Sequence, residues 1–335
     1  MVRYRKKSET KKIYKKLFLA VVILTAGIGM IAWILGAADR RPLQQAIQKK
    51  EKSEIVFQGE TYIPKGNLET YLFAGIDDLG KITEIREYDG SGQCDVLVVL
   101  VRDRSTDQCQ MVTIDRNTIT PVKSLEDDGN YISTDDMQIS LAHAMSLDHV
   151  TRAENTVDAV STLLGGAKID YYAMVNVGAV QPANDLVGGV TVTVKDDFSG
   201  VDDSLKKGET VTLMGVHAEN FIRGRMTMKD DDTNQNRMAR QAQYEEGFRS
   251  AFRQKCSEDS SFPLKMYHTL EDYMTTTVTA RKFSRLALLL TDETKVTKLD
   301  INGTYGVDDS DWQTFTPDTD SLKQVILTLF YKKQN

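Results

Sequence analysis

The stretch from Asp95 to Ile114, DVLVVLVRDRSTDQCQMVTI, decides the fold. It contains two apolar, β-branched runs, Asp95–Val101 and Cys109–Ile114, on either side of the polar segment Arg102–Gln108. Two such runs joined by a short polar segment predict a β-hairpin. Because both runs are almost continuously apolar, we expect the two strands to be covered on both faces.

Around this hairpin, further strands and helices alternate along the chain. Strands are predicted at Thr70–Ile76, Asp170–Val177 and Val190–Val194, helices at Met137–Ser146, Ala153–Leu164, Val180–Val187 and Arg237–Phe252, and one more helix and strand within Ala280–Ile301. Alternation of this kind predicts an α/β fold, here a three-layer αβα sandwich with a mixed central sheet. The 335 residues, 41% hydrophobic and 27% charged, are typical of one large ordered domain.

The N-terminus carries the pattern of a membrane anchor. Leu17–Ala38 has 22 residues without a charge, enough at about 1.5 Å per residue to cross a hydrocarbon core of about 30 Å. The tail Met1–Lys16 holds eight Lys/Arg against one acid, which keeps the N-terminus cytoplasmic and places the rest of the chain outside. Small residues at Gly36 and Ala38 leave a cleaved signal peptide as the alternative, but the apolar stretch is longer than such peptides use. Residues 39–66 are expected to form a stalk with a helix at Arg40–Glu54.

Charge and metal-ligand patterns exclude several functions. Beyond residue 16 the chain has 34 Lys/Arg and 47 Asp/Glu, a net charge of −13, which disfavours a nucleic-acid partner. Cys94, Cys109 and Cys256 have no metal-ligand spacing, and we interpret all three as small buried residues. His143 lies on an apolar helical pattern and is expected in the core, so a zinc site and a histidine-based triad both lack parts.

Two aspartates are placed where strands of the sheet end or begin. Asp77 follows the strand that ends at Ile76, and Asp95 begins the next strand, so both carboxylates can meet at one edge of the sheet. Two carboxylates, completed by water and substrate phosphate, commonly hold Mg²⁺. The alternative is that Asp77 caps a turn and Asp95 begins a solvent-exposed strand.

Arginines cluster in two segments, MVTIDRNT (Met111–Thr118) and FIRGRMTMKDDDTNQNRMARQ (Phe221–Gln241). Arg223 and Arg225 alternate in FIRGR, so along a strand both would point to the same side. Arg237 and Arg240 are three apart on a predicted helix and are therefore neighbours, with Gln241 adjacent. A guanidinium binds phosphate bidentately, so these residues and Arg116 indicate a site for a phosphate or diphosphate. A solvated face paired with Asp230, Asp231 and Asp232 is the alternative.

Seven short motifs occur in an order that resembles the LytR-CpsA-Psr family. They are GID (75–77), GQCD (92–95), IDRNT (114–118), DYYAMVN (170–176), DLVGGVTVTV (185–194), FIRGR (221–225) and NRMARQ (236–241). The resemblance covers about residues 68–255, and the predicted anchor and orientation agree with it.

The resemblance implies an extracellular, membrane-anchored phosphotransferase of cell wall biogenesis in Gram-positive bacteria. Members of this family transfer a glycopolymer, such as teichoic acid or capsule, from a polyisoprenyl diphosphate carrier to peptidoglycan. The catalytic domain would be residues 67–255, with 256–335 as a C-terminal extension packed on it, and the lipid would lie in an apolar tunnel between sheet and helices.

The resemblance also assigns roles to individual residues. Asp77 and Asp95 would bind Mg²⁺, and together with Arg116 they would be catalytic. The diphosphate would be bound by Arg116, Arg223, Arg225, Arg237, Arg240 and Gln241. In the transfer reaction a muramic acid hydroxyl would attack the phosphorus nearer the sugar, and no residue is assigned as the general base.

Three positions depart from the family pattern. Gln93-Cys94-Asp95-Val96 stands where the family often has arginine-serine-aspartate-threonine, so one phosphate-binding arginine is absent unless Arg86 substitutes. Asp115 stands where proline is usual, and Asn117 where aspartate is usual. These departures leave a reduced or altered activity open. Two other functions also stay open: a non-catalytic polyprenyl-phosphate-binding regulator or scaffold of envelope assembly, and a polyprenyl diphosphate hydrolase.

Overall fold

The computed structural model describes residues 54–83, 92–224, 234–309 and 311–334, without the side chains of 234–238. The predicted basic tail 1–16, the apolar segment 17–38 and nearly all of the stalk helix lie outside the described residues. Within the described ranges, no helix is both long and apolar enough to cross a membrane. The chain divides into a small unit, up to Pro64 and from Lys332 onward, and a large unit, Lys65–Tyr331.

The small unit contains an antiparallel hairpin in the last part of the predicted stalk. Strands β1 (Ile55–Phe57) and β2 (Glu60–Pro64) pair through Val56 and Thr61. The two turn residues, Gln58 and Gly59, both have positive φ, as a tight two-residue hairpin requires. The backbone N–H of Gln334 donates to Thr61 (2.8 Å), which joins the C-terminal residues of the chain to this hairpin.

The large unit is built on a six-stranded sheet of order β11-β8-β3-β4-β5-β12. These strands are β3 (Leu68–Ile76), β4 (Cys94–Asp103), β5 (Cys109–Ile114), β8 (Tyr171–Asn176), β11 (Met274–Thr276) and β12 (Val296–Leu299). Strand β4 is antiparallel to both of its neighbours, β3 and β5. Strand β8 is parallel to β3, and β12 is parallel to β5. The predicted hairpin and the mixed central sheet are therefore confirmed. Residues 256–335, predicted as a C-terminal extension packed on the domain, supply both edge strands of this sheet, β11 and β12.

Helices surround the sheet and the pocket beside it. They are α1 (His149–Leu163), α2 (Val180–Leu186), α3 (Val216–Arg223), α4 (Asn234–Glu258), α5 (Phe262–Leu270), α6 (Ala280–Leu290) and α7 (Thr319–Phe330). Four shorter 3₁₀ helices are described at Ile139–Ala144, Val177–Ala179, Glu271–Tyr273 and Glu293–Lys295. Helix α1 begins four residues before its predicted start because the Asp148 side chain accepts the N–H of Thr151 and caps it.

Three antiparallel hairpins complete the large unit. Their strands are β6 (Ile119–Leu125) with β7 (Tyr131–Gln138), β9 (Val190–Thr193) with β10 (Thr210–Leu213), and β13 (Gly303–Val307) with β14 (Gln313–Pro317). The last described strand of the chain, β15 (Tyr331–Lys333), reaches into the small unit, where it lies beside β2.

Side-chain alternation along β3 separates two hydrophobic clusters. Leu72 and Ile76 join the cluster that includes α1 and α7, while Tyr71 joins the cluster that includes Leu286 of α6. Helices therefore contribute to the core on both faces of the sheet, as predicted. Each fully buried aliphatic side chain in these clusters stabilises the fold by about 1.5–3 kcal/mol.

The helix predicted at Met137–Ser146 is confirmed only in its middle part. Its first residues belong to strand β7, and only Ile139–Ala144 is helical, as a 3₁₀ helix. The start is displaced because Met137 and Gln138 pair with Thr120 and Ile119 of β6. The N–H groups of Ile139 and Ser140 then donate to the carbonyls of Thr118 (2.8 Å) and Arg116 (3.1 Å), which anchors the start of the 3₁₀ helix to the turn after β5.

Candidate functional site

A pocket of about 1410 Å³ lies in the large unit beside the end of β3 and is lined by two groups of residues. The polar group includes residues at or near strand ends and residues of α3 and α4: Asp77, Asp95, Arg116, Glu219, Asn220, Arg223, Gln241 and Glu245. The apolar group comes mostly from the surrounding helices: Val180, Ala183, Ile222, Phe248, Phe252, Met266, Leu270 and Phe283. The volume exceeds the range of about 300–1,000 Å³ that is typical of small-molecule sites.

A β-bulge presents Asp95 to this pocket. Strand pairing joins Gly75 to Val96 and Ile76 to Cys94, so Asp95 is an extra residue in β4. The bulge turns Cys94 into the same buried cluster as Leu97, although the two are three positions apart, and leaves Asp95 and Val96 exposed to the pocket. Bulges of this kind commonly redirect a side chain beside a functional site.

Asp77 is fixed by the same strand ends. Its N–H donates to Gln93 (3.0 Å), and its carbonyl accepts the N–H of Gly92 (3.1 Å). The side chain of Asp77 remains about half exposed and lines the pocket. The two aspartates predicted to meet at one edge of the sheet therefore do line one pocket.

Arg116 lies in the turn that follows β5. One terminal nitrogen, Nη1, is paired with Asp95, and the other, Nη2, donates to the side-chain oxygen of Gln93 (2.7 Å). The guanidinium is thus held by two acceptors near the start of β4, Asp95 within the strand and Gln93 one residue before it. Gln93, which stands where the family often has arginine, is a partner of Arg116.

The two other departures from the family pattern hold this turn against the hairpin β13–β14. Asp115 accepts the N–H of Asn117 (2.8 Å) and the hydroxyl of Tyr305. The carbonyl of Asn117 accepts the N–H of Phe315 (2.8 Å). Because its hydroxyl donates to a carboxylate, the pKa of Tyr305 is raised to about 12. Asp115 and Asn117 therefore stabilise the position of Arg116 without lining the pocket themselves.

Arg223 lies at the end of helix α3, so the predicted FIRGR strand is wrong for its described residues. Ala218 and Phe221, three positions apart, are both fully buried, and Gly224 ends the helix. This 3.6-residue period replaces the alternation that FIRGR suggested. Arg223 Nη1 donates to Glu219 Oε1 (3.1 Å) one turn earlier, and Nη2 donates to Asp77 Oδ1 (3.3 Å). Arg225 lies outside the described residues.

Arg240 does not line the pocket. Only 4% of it is exposed, and its Nη1 is paired with Asp196 Oδ2 at 2.6 Å. Its other nitrogens donate to the carbonyls of Phe221 (3.2 Å) and Gly224 (2.5 Å), at the end of α3. The structure therefore gives Arg240 the position of a buried cap on the helix that carries Arg223. Gln241, the next residue, does line the pocket, while the side chain of Arg237 lies outside the description.

Buried histidine and cysteine side chains do not supply acid, base or nucleophile to the pocket. His143 is 2% exposed, its Nδ1 donates to Gly92 (2.8 Å), and burial lowers its pKa to about 3. Burial raises the pKa of Cys94 to about 12 and that of Cys109 to about 11, whereas Cys256, which was also predicted to be buried, is only partly buried. All three cysteines are free.

The donor set at the pocket suits a hard divalent cation only in part. Among the described residues, no group of three or more His, Cys, Asp or Glu side chains is placed to hold a metal ion. Asp77 and Asp95 nevertheless line the same pocket, and Mg²⁺ is often bound by one or two carboxylates with water and substrate phosphates. The two aspartates therefore fit a magnesium ion that shares its shell with a phosphate ligand.

Two functional partners escaped the sequence reasoning, Gln93 and Glu219. At position 93 the sequence pattern indicates only the absence of an arginine, and it assigns no role to Glu219. A signal for Glu219 existed, since Glu219 and Arg223 are four apart, the spacing of a helical ion pair. If FIRGR is a strand, this spacing does not bring the two side chains together, so the strand prediction gives no indication of the pair.

Comparison with known proteins identifies the family. The profile of the LytR_cpsA_psr family matches residues 32–330. The chain belongs to this family. One curated LytR_cpsA_psr relative, the polyisoprenyl-teichoic acid–peptidoglycan teichoic acid transferase TagU of Bacillus subtilis, is 27% identical over 247 residues, which cover 72% of this chain and 70% of TagU.

Solved structures agree with the fold. Bacillus subtilis TagV superposes with a TM-score of 0.57 at 22% identity, covering 79% of this chain and 96% of TagV. A structure described as TagT bound to LI-WTA superposes with a TM-score of 0.52 at 19% identity, covering 79% of this chain and 90% of TagT. The mixed α/β fold with a central sheet is thus the fold of solved LytR_cpsA_psr proteins.

Proposed function

We propose that this protein is a membrane-anchored, extracellular phosphotransferase that moves a glycopolymer from a polyisoprenyl diphosphate carrier to peptidoglycan. The observation that carries the proposal is one pocket lined both by two arginines and by a wall of aromatic and aliphatic side chains. Such a pocket complements a ligand with an anionic head and a long apolar tail. The name of its relative TagU, a polyisoprenyl-teichoic acid–peptidoglycan transferase, supports the same carrier and acceptor.

The arginines supply positive charge where the reaction needs it. Attack by a wall hydroxyl forms a new P–O bond at the phosphorus nearer the sugar and breaks its bond to the bridging oxygen, which leaves with the polyprenyl phosphate. Arg116 and Arg223 would hold the diphosphate and stabilise the charge that accumulates on this leaving group. The attacking hydroxyl loses its proton to a group that we leave unassigned.

Asp77 and Asp95 are proposed to hold Mg²⁺ together with the diphosphate. When bound there, the ion would neutralise charge on the phosphate oxygens during transfer. The apolar wall would pack against the prenyl chain. Because Leu17–Ala38 is proposed to anchor the protein with its N-terminus in the cytoplasm, enzyme and carrier would meet by diffusion in the plane of the membrane.

Transfer of a radiolabelled glycan from a polyprenyl diphosphate to isolated peptidoglycan tests the proposal. The full-length protein with Mg²⁺ is expected to label the peptidoglycan, and Arg116→Ala or Arg223→Ala is expected to abolish labelling with the fold intact. Arg285→Ala serves as the control, because Arg285 is exposed on α6 and lies beside Asp107. Wild-type rates in the two pocket variants would contradict the proposal. Release of free glycan phosphate would indicate a hydrolase, and binding without turnover a regulator or scaffold.

A further inference from the structure

The two pocket arginines are held in the same way. Each guanidinium uses one terminal nitrogen for an aspartate proposed as a metal ligand and the other for an acceptor outside that pair. Arg116 donates to Asp95 and to Gln93 (2.7 Å). Arg223 donates to Asp77 (3.3 Å) and to Glu219 (3.1 Å).

A divalent cation would compete with the arginines for the aspartates. A carboxylate oxygen that coordinates a cation gives up much of its capacity to accept a hydrogen bond, and the cation repels a nearby guanidinium. Each arginine would then lose one of the two acceptors that the described residues provide and release one terminal N–H group. An arginine with no other acceptor would be left without a fixed position.

We infer that Gln93 and Glu219 are positioning residues that keep Arg116 and Arg223 at the pocket while Asp95 and Asp77 bind a divalent cation. This inference rests on the proposed function. The freed groups, Nη1 of Arg116 and Nη2 of Arg223, then become the donors for a phosphate head. The inference concerns how the arginines are oriented and assigns no chemical step to either positioning residue.

The two positioning residues are themselves well placed. Gln93 is fixed through its backbone carbonyl, which accepts the N–H of Asp77 (3.0 Å). Glu219 is about three-quarters buried and lies one helical turn before Arg223, so helix α3 carries both residues. An arginine at position 93 would repel Arg116, whereas the amide oxygen of Gln93 accepts from it. Gln93, which departs from the family pattern, therefore helps to position Arg116.

The two arginines should differ once a cation is bound. Arg116 keeps a neutral partner, so its full positive charge becomes available to the ligand. Arg223 keeps the anionic partner Glu219, which offsets part of its charge. Cation and phosphate binding should also strengthen each other. The cation takes the aspartates and frees the arginines for the phosphate, and the phosphate takes the arginines and frees the aspartates for the cation. Couplings between two sites are typically between about 5- and 150-fold.

The test is the affinity for farnesyl phosphate, measured by isothermal titration with and without Mg²⁺ on the full-length protein in detergent micelles, with empty micelles as the blank. Wild type is expected to bind more tightly with Mg²⁺. Glu219→Ala is expected to lose about tenfold with Mg²⁺ and much less without it, because Asp77 still holds Arg223 in the absence of the cation. Glu219→Gln retains an acceptor and should therefore keep most of the affinity that Glu219→Ala loses. Likewise, Gln93→Ala should lose affinity mainly with Mg²⁺, and Gln93→Glu, which retains an acceptor, should keep most of it.

Glu246→Ala is the matched control. Glu246 also lies on a helix and pairs with an arginine three residues later, Arg249, but does not line the pocket. It should leave both affinities unchanged. Equal losses with and without Mg²⁺ in Glu219→Ala, or no loss at all, would overturn the positioning role while leaving the proposed function standing. Failure of wild type to bind farnesyl phosphate under either condition would overturn the proposed function instead.

Discussion

Replacing Arg240 by methionine is expected to destabilise the fold strongly. Arg240 and Asp196 form a buried ion pair, with side chains that are 5% and 11% exposed, and the change removes the positive partner. It also removes the donors to the carbonyls of Phe221 and Gly224. Removing one member of a buried ion pair costs about 3–5 kcal/mol because the other charge is left unpaired. At about 2–4 °C per kcal/mol, the melting temperature should fall by roughly 6–20 °C.

Urea unfolding followed by circular dichroism measures this free energy, and Arg223→Met is the matched comparison. Arg223 is partly exposed and pairs with partly exposed carboxylates, so its replacement should change stability by only about 0.5 kcal/mol while weakening binding of the phosphate head. Adding Asp196→Leu to Arg240→Met should recover part of the lost stability, since the unpaired carboxylate is removed as well. Wild-type stability of Arg240→Met, with loss of ligand binding alone, would refute the assignment of Arg240 as a buried cap.

Three further changes probe the pocket, its supporting loop and the pH dependence of stability. Ala242→Trp, at an exposed pocket-lining position on α4, should block polyprenyl phosphate binding in a filter assay with little change in melting temperature. Ser250→Trp, at an exposed position of the same helix outside the pocket lining, should leave both the binding and the melting temperature unchanged. Gly178→Ala would place a Cβ 2.1 Å from the carbonyl oxygen of Leu79, so the loop after Asp77 must move, and urea unfolding should show a loss of about 1–3 kcal/mol. Because burial lowers the pKa of His143 to about 3, its neutral form stabilises the fold above about pH 6.5. That contribution should be lost as pH falls toward 3, at up to about 1.4 kcal/mol per pH unit, and urea unfolding of His143→Gln should show a flatter pH profile.

The sequence predicted the parts of the fold that depend on local patterns. The β-branched runs around Arg102–Gln108 form the predicted hairpin because their apolar residues fit a sheet covered on both faces. Asp77 and Asp95 reach the same pocket because strand ends at one edge of a sheet are neighbours in space. The bulge at Asp95 was not predictable, since its cause is the pairing of β3 with β4 and not the local sequence.

Long-range contacts account for the failures. FIRGR has only five residues, which fit a strand as well as the end of a helix, and the burial of Ala218 and Phe221 decides for the helix. The role of Arg240 depends on where Asp196, 44 residues away, lies in the fold. An arginine that binds phosphate and an arginine that caps a helix have the same sequence pattern. The two roles are distinguished only by the groups to which the guanidinium donates in the folded protein.

A crystal structure of the complex with a polyprenyl diphosphate tests the central claim most directly. We expect electron density for the diphosphate within hydrogen-bonding distance of Arg116 and Arg223, and density for the prenyl chain along Ile222, Phe252 and Phe283. A diphosphate bound elsewhere on the protein, or a prenyl chain outside this apolar wall, would contradict the account.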